Sequence, residues 1–111
     1  MLAQKEAIRR LREECEKDGN ILLAYLFGSK AKGTASQRSD YDVAVLLRDN
    51  DLTELGAVLF AISKSLGVFE DEIDLVDLSL APLALKARVL REGIKLIDRG
   101  YEEELVKQVN M

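Results

Sequence analysis

Apolar and polar positions along this chain change period several times, and each change marks an element. Residues 2–18 place Ile8, Leu11 and Cys15 at i, i+3 and i+7 with charges on the other side, the pattern of an amphipathic helix. Gly19 and Asn20 stop it. Residues 21–27 are an unbroken apolar run, which predicts a strand buried on both faces and ended by Gly28. A second strand is predicted at 41–47, entered through Asp40. The connection between them is long for a hairpin and rich in glycine, lysine and hydroxyl side chains, which marks it as a functional loop. Residues 51–66 carry Leu52, Leu55, Leu59, Ile62 and Leu66 as one helical stripe. Asp51 with Glu54 suits its start and Gly67 its end.

A third strand is predicted at 72–78, so strand, helix and strand follow in the order of a right-handed βαβ unit with parallel strands. Pro82 suits a first helical turn, residues 82–91 continue as helix, and Gly93 stops it. Ile94 to Asp98 forms a short fourth strand. Residues 101–109 form a last helix with Tyr101, Leu105 and Val109 on one side. The layout is α-β-β-α-β-α-β-α, an α/β (α+β) domain: a mixed sheet of about four strands with helices packed against it. The first two strands follow each other without a crossover helix, so they are expected to be antiparallel.

Composition narrows the chemistry. A chain of 111 residues is the size of one domain, so residues 1–111 are read as a single unit. Hydrophobic residues at 48% and charged residues at 32% are ordinary for a globular protein. There is no histidine, which removes Ser-His-Asp and Cys-His mechanisms and His-ligated metals. The single cysteine, Cys15, allows no intrachain disulfide, lies on the buried stripe and is read as a core residue. Any metal chemistry must therefore use oxygen ligands, meaning magnesium, manganese or calcium. A net charge of −4 argues against direct nucleic-acid binding. No apolar run reaches the length of a membrane span, and the N-terminus has no signal-peptide core, so a cytoplasmic protein without membrane contact is expected.

Three features carry candidate chemistry. Asp40 and Asp42 stand two apart on a strand and face the same side, where they repel unless a cation lies between them. Alone, the pair reads more readily as two solvated acids at a strand entrance. Asp74 sits in an otherwise apolar strand next to Ile73 and Leu75, and a carboxylate there needs a partner or a metal. Asp77 competes for that role but points to the opposite face, so at most one of the two joins the pair. Gly28 and Ser29 end the first strand and offer N–H groups and a hydroxyl to an anion. Lys30, Lys32 and Arg38 make the same loop basic in an acidic chain.

Read together, Gly28-Ser29, then Asp40-Tyr41-Asp42-Val43, then Ile73-Asp74-Leu75 resembles the nucleotidyltransferase superfamily that shares its palm with DNA polymerase β. The longer string from Leu26 to Gly33, with Ser39 to Val45, is similar to the minimal nucleotidyltransferases, the MntA-type antitoxins. The likeness runs on to Glu92-Gly93 and covers about residues 5–100. It implies a nucleotidyltransferase palm and transfer of AMP from ATP to a hydroxyl by two-metal in-line displacement. By the same likeness Gly28 and Ser29 hold the β- and γ-phosphates, with Lys30, Lys32, Arg38 and Ser39 as further nucleotide-binding candidates. Asp40, Asp42 and Asp74 are the catalytic acids and ligands of two Mg²⁺ ions. Lys32 stands where the family commonly has arginine, which keeps the charge but loses the bidentate fork.

The implied partner is a helical HEPN-type toxin in a hetero-oligomer, with a toxin tyrosine as acceptor, so the chain reads as a protein adenylyltransferase antitoxin. Two other readings share these residues. One is a non-catalytic module that neutralises its partner by binding, and the other is a small-molecule nucleotidyltransferase working with a separate helical subunit.

Overall fold

The apolar run at 21–27 decides the architecture, because a strand with no polar face must be covered on both sides. The computed structural model describes residues 2–34 and 40–109. Its elements are α1 (Gln4–Lys17), β1 (Ile21–Phe27), α2 (Gly28–Lys32), β2 (Tyr41–Leu47), α3 (Leu52–Leu66), β3 (Ile73–Asp77), α4 (Leu83–Glu92), β4 (Ile94–Asp98) and α5 (Glu102–Gln108). A single 3-10 turn, Glu70–Glu72, leads into β3. The four strands form one mixed sheet in the order β3-β2-β1-β4. β1 is antiparallel to β2 and β2 is parallel to β3, as the order of elements predicts, and β1 is also antiparallel to β4.

Alternation along the strands supplies two separate cores. Ala24 and Leu26 of β1, with Val43 and Val45 of β2, face Leu11 and Cys15 of α1 and Val58, Ile62 and Leu66 of α3. Leu23, Tyr25 and Phe27 face the other way, with Ala44, against Val89 of α4 and Leu105 of α5. All seven residues of β1 are buried. Each fully covered leucine, such as Leu23 or Leu26, contributes about 1.5–3 kcal/mol from burial. Burial pushes the Cys15 thiol up to about 12, helped by Glu14 and Asp18, which agrees with an inert core residue.

The ends of the helices are closed much as their residues suggest. Asp51 accepts the Glu54 backbone N–H at 2.9 Å and caps α3. Gly67 closes α3 at φ +71°, and Val68 N–H donates back to Ser63 O at 3.1 Å. Arg99, just after β4, clamps the α1–β1 corner by donating to the carbonyls of Ile21 at 2.9 Å and Cys15 at 3.1 Å. Among the described residues, no helix is long and apolar enough to cross a membrane.

Four expectations need correction. The first residues of the long connection are not an open turn but the short helix α2, held to α1 by Gln4, whose Nε2 donates to Ala31 O at 2.7 Å. Leu52 does not join the α3 stripe. It is the first residue of the helix and 86% exposed, and Val58 takes a place in the core instead. The third strand is shorter than predicted, because Glu72 belongs to the 3-10 turn. Pro82 stands at the N-cap of α4 rather than inside its first turn.

Candidate active site

Strand register lines up the candidate side chains. Phe27 at the end of β1 pairs with Asp42 of β2, and Asp42 pairs with Asp74 of β3. Cross-strand partners share a face, so Phe27, Asp42 and Asp74 form one row. Phe27 belongs to the core under α4 and α5, which puts the row on that side of the sheet. Asp74 lies on the edge strand and is exposed, whereas Asp42 is half-buried.

Gly28 bends the chain over this row. Its φ of +72° lets the backbone leave β1 and enter α2 at once. A methyl group at this position would lie 2.1 Å from Asp42 Oδ2 and 3.0 Å from its Cγ. The Asp42 carboxylate therefore rests against the glycine backbone, in space only glycine leaves open. Ser29 follows in the first turn of α2 and is half-buried.

The row is electrostatically loaded. The Asp42 carboxyl is held above the usual carboxylate range, first by burial and then by the negative charge of Asp74. Asp40 adds to the shift and a hydrogen bond with Asp74 favours the protonated form, while Arg88 opposes it. Two carboxyls brought side by side form a site where a hard divalent cation can lie between them and relieve their repulsion. The donor set therefore fits Mg²⁺, with Asp42 and Asp74 as its centre and Asp40 at the strand entrance. Among the described residues, no three acids already stand grouped as a metal cage.

The other candidates separate. Asp77 lies at the far end of β3, where it accepts from Ser79 N at 3.0 Å and Asn50 Nδ2 at 2.9 Å, so Asp74 is the acid beside Asp42. Lys30 is not brought to the carboxylates. It is buried with Nζ 4.4 Å from the Tyr41 ring centroid, and Tyr41 belongs to the core on the α1 side. The cause is the helical phase of α2, which turns Lys30 away from the face an open loop would have shared with Lys32. Lys32 stays on the α4 side, 2.9 Å from Glu92 Oε1. Arg38 and Ser39 lie outside the described residues.

Two side chains at the site carried no role in the sequence reading. Arg88 of α4 stands over the Phe27 ring, its guanidinium carbon 5.7 Å from the centroid. Glu92, one turn on, accepts from Arg88 Nε at 2.9 Å and pairs with Lys32, and these hydrogen bonds hold its carboxyl below the usual range. The Arg88–Glu92 spacing of i, i+4 was visible, but that pattern is shared by any solvated helix face.

A mixed four-stranded sheet whose first strand turns through glycine over a carboxylate row is the palm of a nucleotidyltransferase. Residues 9–102 match the family described as polymerase beta, nucleotidyltransferase, and the chain belongs to that family. No curated protein matches the chain. Among solved structures it is similar to a chain of a toxin–antitoxin crystallised with AMP-PNP, at 32% identity and TM-score 0.70, covering 99% of this chain and 86% of that one. A chain of the MntA–HepT toxin–antitoxin is similar at 28% identity and TM-score 0.61, covering 98% of this chain and 83% of that one. A third likeness is to a chain in the complex of tri-AMPylated Shewanella oneidensis HEPN toxin with MNT antitoxin, at 28% identity and TM-score 0.62, covering 98% and 82%.

Proposed function

We propose that this chain is an Mg²⁺-dependent nucleotidyltransferase antitoxin that moves AMP from ATP to a tyrosine hydroxyl of a HEPN-type toxin. The observation that carries the reaction class is the Asp42–Asp74 pair seated under Gly28. The likeness to a chain in the complex of an AMPylated HEPN toxin with its antitoxin supports the acceptor, and the likeness to a chain crystallised with AMP-PNP supports the nucleotide.

In this reading residues 1–111 work as one unit, in the cytoplasm, within a hetero-oligomer. Gly28 and Ser29 present N–H groups and a hydroxyl to the β- and γ-phosphates. Lys32 adds charge on the same side, and Arg38 and Ser39 are assigned to the nucleotide as well. Asp40, Asp42 and Asp74 hold the Mg²⁺ ions. When bound, Mg²⁺ supplies neutralisation of phosphate charge and a lower pKa for the attacking hydroxyl. Asp74, on the open edge strand, faces the side from which an acceptor on another molecule arrives. The acceptor oxygen forms a bond to the α-phosphorus, the bond from that phosphorus to the bridging oxygen breaks, and pyrophosphate leaves. The hydroxyl proton passes to an Asp74 carboxylate oxygen.

Label transfer tests this. The protein is incubated with Mg²⁺, ATP labelled at the α-phosphate and the HEPN-type product of the neighbouring gene. Parallel reactions use γ-labelled ATP or Asp42→Asn. The expected result is one partner band carrying α-label without γ-label, absent in the variant. A partner that Asp42→Asn still neutralises, with no α-label on any protein, overturns the enzymatic reading in favour of neutralisation by binding.

A further inference from the structure

The resemblance assigns phosphate binding to the strand end and the loop after it. The structure adds a second positive group near the row, on α4. Two contacts hold the Arg88 guanidinium in one orientation. Its Nε donates to Glu92 Oε2 at 2.9 Å, and its carbon lies 5.7 Å from the centroid of the Phe27 ring. Phe27 is the in-register neighbour of Asp42, so the fork is held next to the acids. Among the described residues, Nη1 and Nη2 have no protein acceptor, and the Arg88 side chain is 48% exposed.

Stability alone is a weak reason for this arrangement. A half-exposed ion pair of this kind contributes about 0–1 kcal/mol. Lys32, from α2, reaches the other oxygen of the same Glu92 carboxylate at 2.9 Å. Cations from α2 and α4 therefore converge on one small anion beside the row. A phosphate makes the same demand, and the planar fork of arginine meets it with paired donors.

We infer that Arg88 is a substrate-binding residue, its Nη1 and Nη2 contacting the triphosphate of the nucleotide from the α4 side. The inference rests on the nucleotidyltransferase reading above and adds a residue to it. Glu92 holds the fork through Nε and leaves the two outer nitrogens for the ligand.

The test measures dissociation constants of ATP and of inorganic tripolyphosphate, with Mg²⁺, for the full chain and for Arg88→Gln and Arg88→Lys. Charge-assisted bonds of this type set the expectation: Arg88→Gln weakens both ligands about ten-fold or more. Arg88→Lys recovers only part of the loss, because it keeps the charge without the fork. Melting temperatures stay near wild type for both variants. ATP and tripolyphosphate bound equally well by wild type and Arg88→Gln overturn the inference and leave the enzymatic reading intact. Weaker ATP with unchanged tripolyphosphate also overturns it, since the contact then lies on the nucleoside. A wild-type chain that binds no ATP overturns the inference together with the reading beneath it.

Discussion

Replacing Gly28 by alanine separates two roles of one residue, and Gly67→Ala supplies the control. Both glycines have left-handed backbones, with φ of +72° and +71°. An L-residue there costs about 1–2 kcal/mol. At Gly67 a methyl group meets nothing within 4 Å, so that strain is the whole effect. At Gly28 the methyl lies 2.1 Å from Asp42 Oδ2, and something must move. The obstructing atom is the end of a side chain, so the carboxylate swings away at small cost in stability. Both variants should therefore melt lower by a similar amount, about 4 °C for each kcal/mol in a domain of this size. Their activities should diverge. A displacement of about 1 Å at a reacting group can slow turnover roughly 100-fold. Transfer of α-label from ATP should fall by about that factor in Gly28→Ala and stay near wild type in Gly67→Ala. Thermal melts and label transfer on the same preparations check both halves. Gly28→Ala that transfers label like Gly67→Ala refutes the idea that the glycine seats Asp42 for the reaction.

Asp42 and Asp98 should show opposite pH signatures. The folded Asp42 carboxyl is raised, by burial first and then by Asp74. Its contribution to stability is present below the ordinary carboxylate pKa of about 4 and is lost as pH rises through the raised folded value. Asp42→Asn should thus stabilise the metal-free protein at neutral pH and flatten that part of the profile in urea titrations. Mg²⁺ should raise the melting temperature of the wild type and have less effect on the variant. At Asp98 burial pushes upward but is outweighed by the backbone N–H groups of Tyr101, Gly100 and Glu102, so the folded carboxyl is lowered. Stability from Asp98 is present above the ordinary carboxylate pKa and is lost as pH falls through the lowered value. Asp98→Ala should cost about 1 kcal/mol at neutral pH, the scale of a helix cap, and nearly nothing in strong acid, read from urea midpoints across that range.

Some features were legible in the residues alone. The apolar run at 21–27 can only be a strand covered on both faces, and β1 is buried throughout. Asp51 and Gly67 announced the ends of α3, because capping chemistry is local. The order of strand, helix and strand placed β3 parallel to β2, and the opposed phases of Asp74 and Asp77 allowed only one of them beside Asp42. These are properties of short segments, set by side-chain period and turn chemistry.

What remained depended on contacts between distant segments. The pairing of Phe27, Asp42 and Asp74 into one row is a matter of register, and register depends on which faces the two cores cover. The helical phase of α2 carried Lys30 to Tyr41 and away from the acids, while leaving Lys32 beside Glu92. Arg88 entered the site because α4 packs over Phe27, 61 residues away in the chain. The sequence by itself determined every element but α2, the family likeness and the acids on their strands, since each is encoded within a few neighbouring residues. Only the tertiary structure decided which charges lie beside the acids, because a side chain's final direction is set by the packing of elements the chain brings together from far apart.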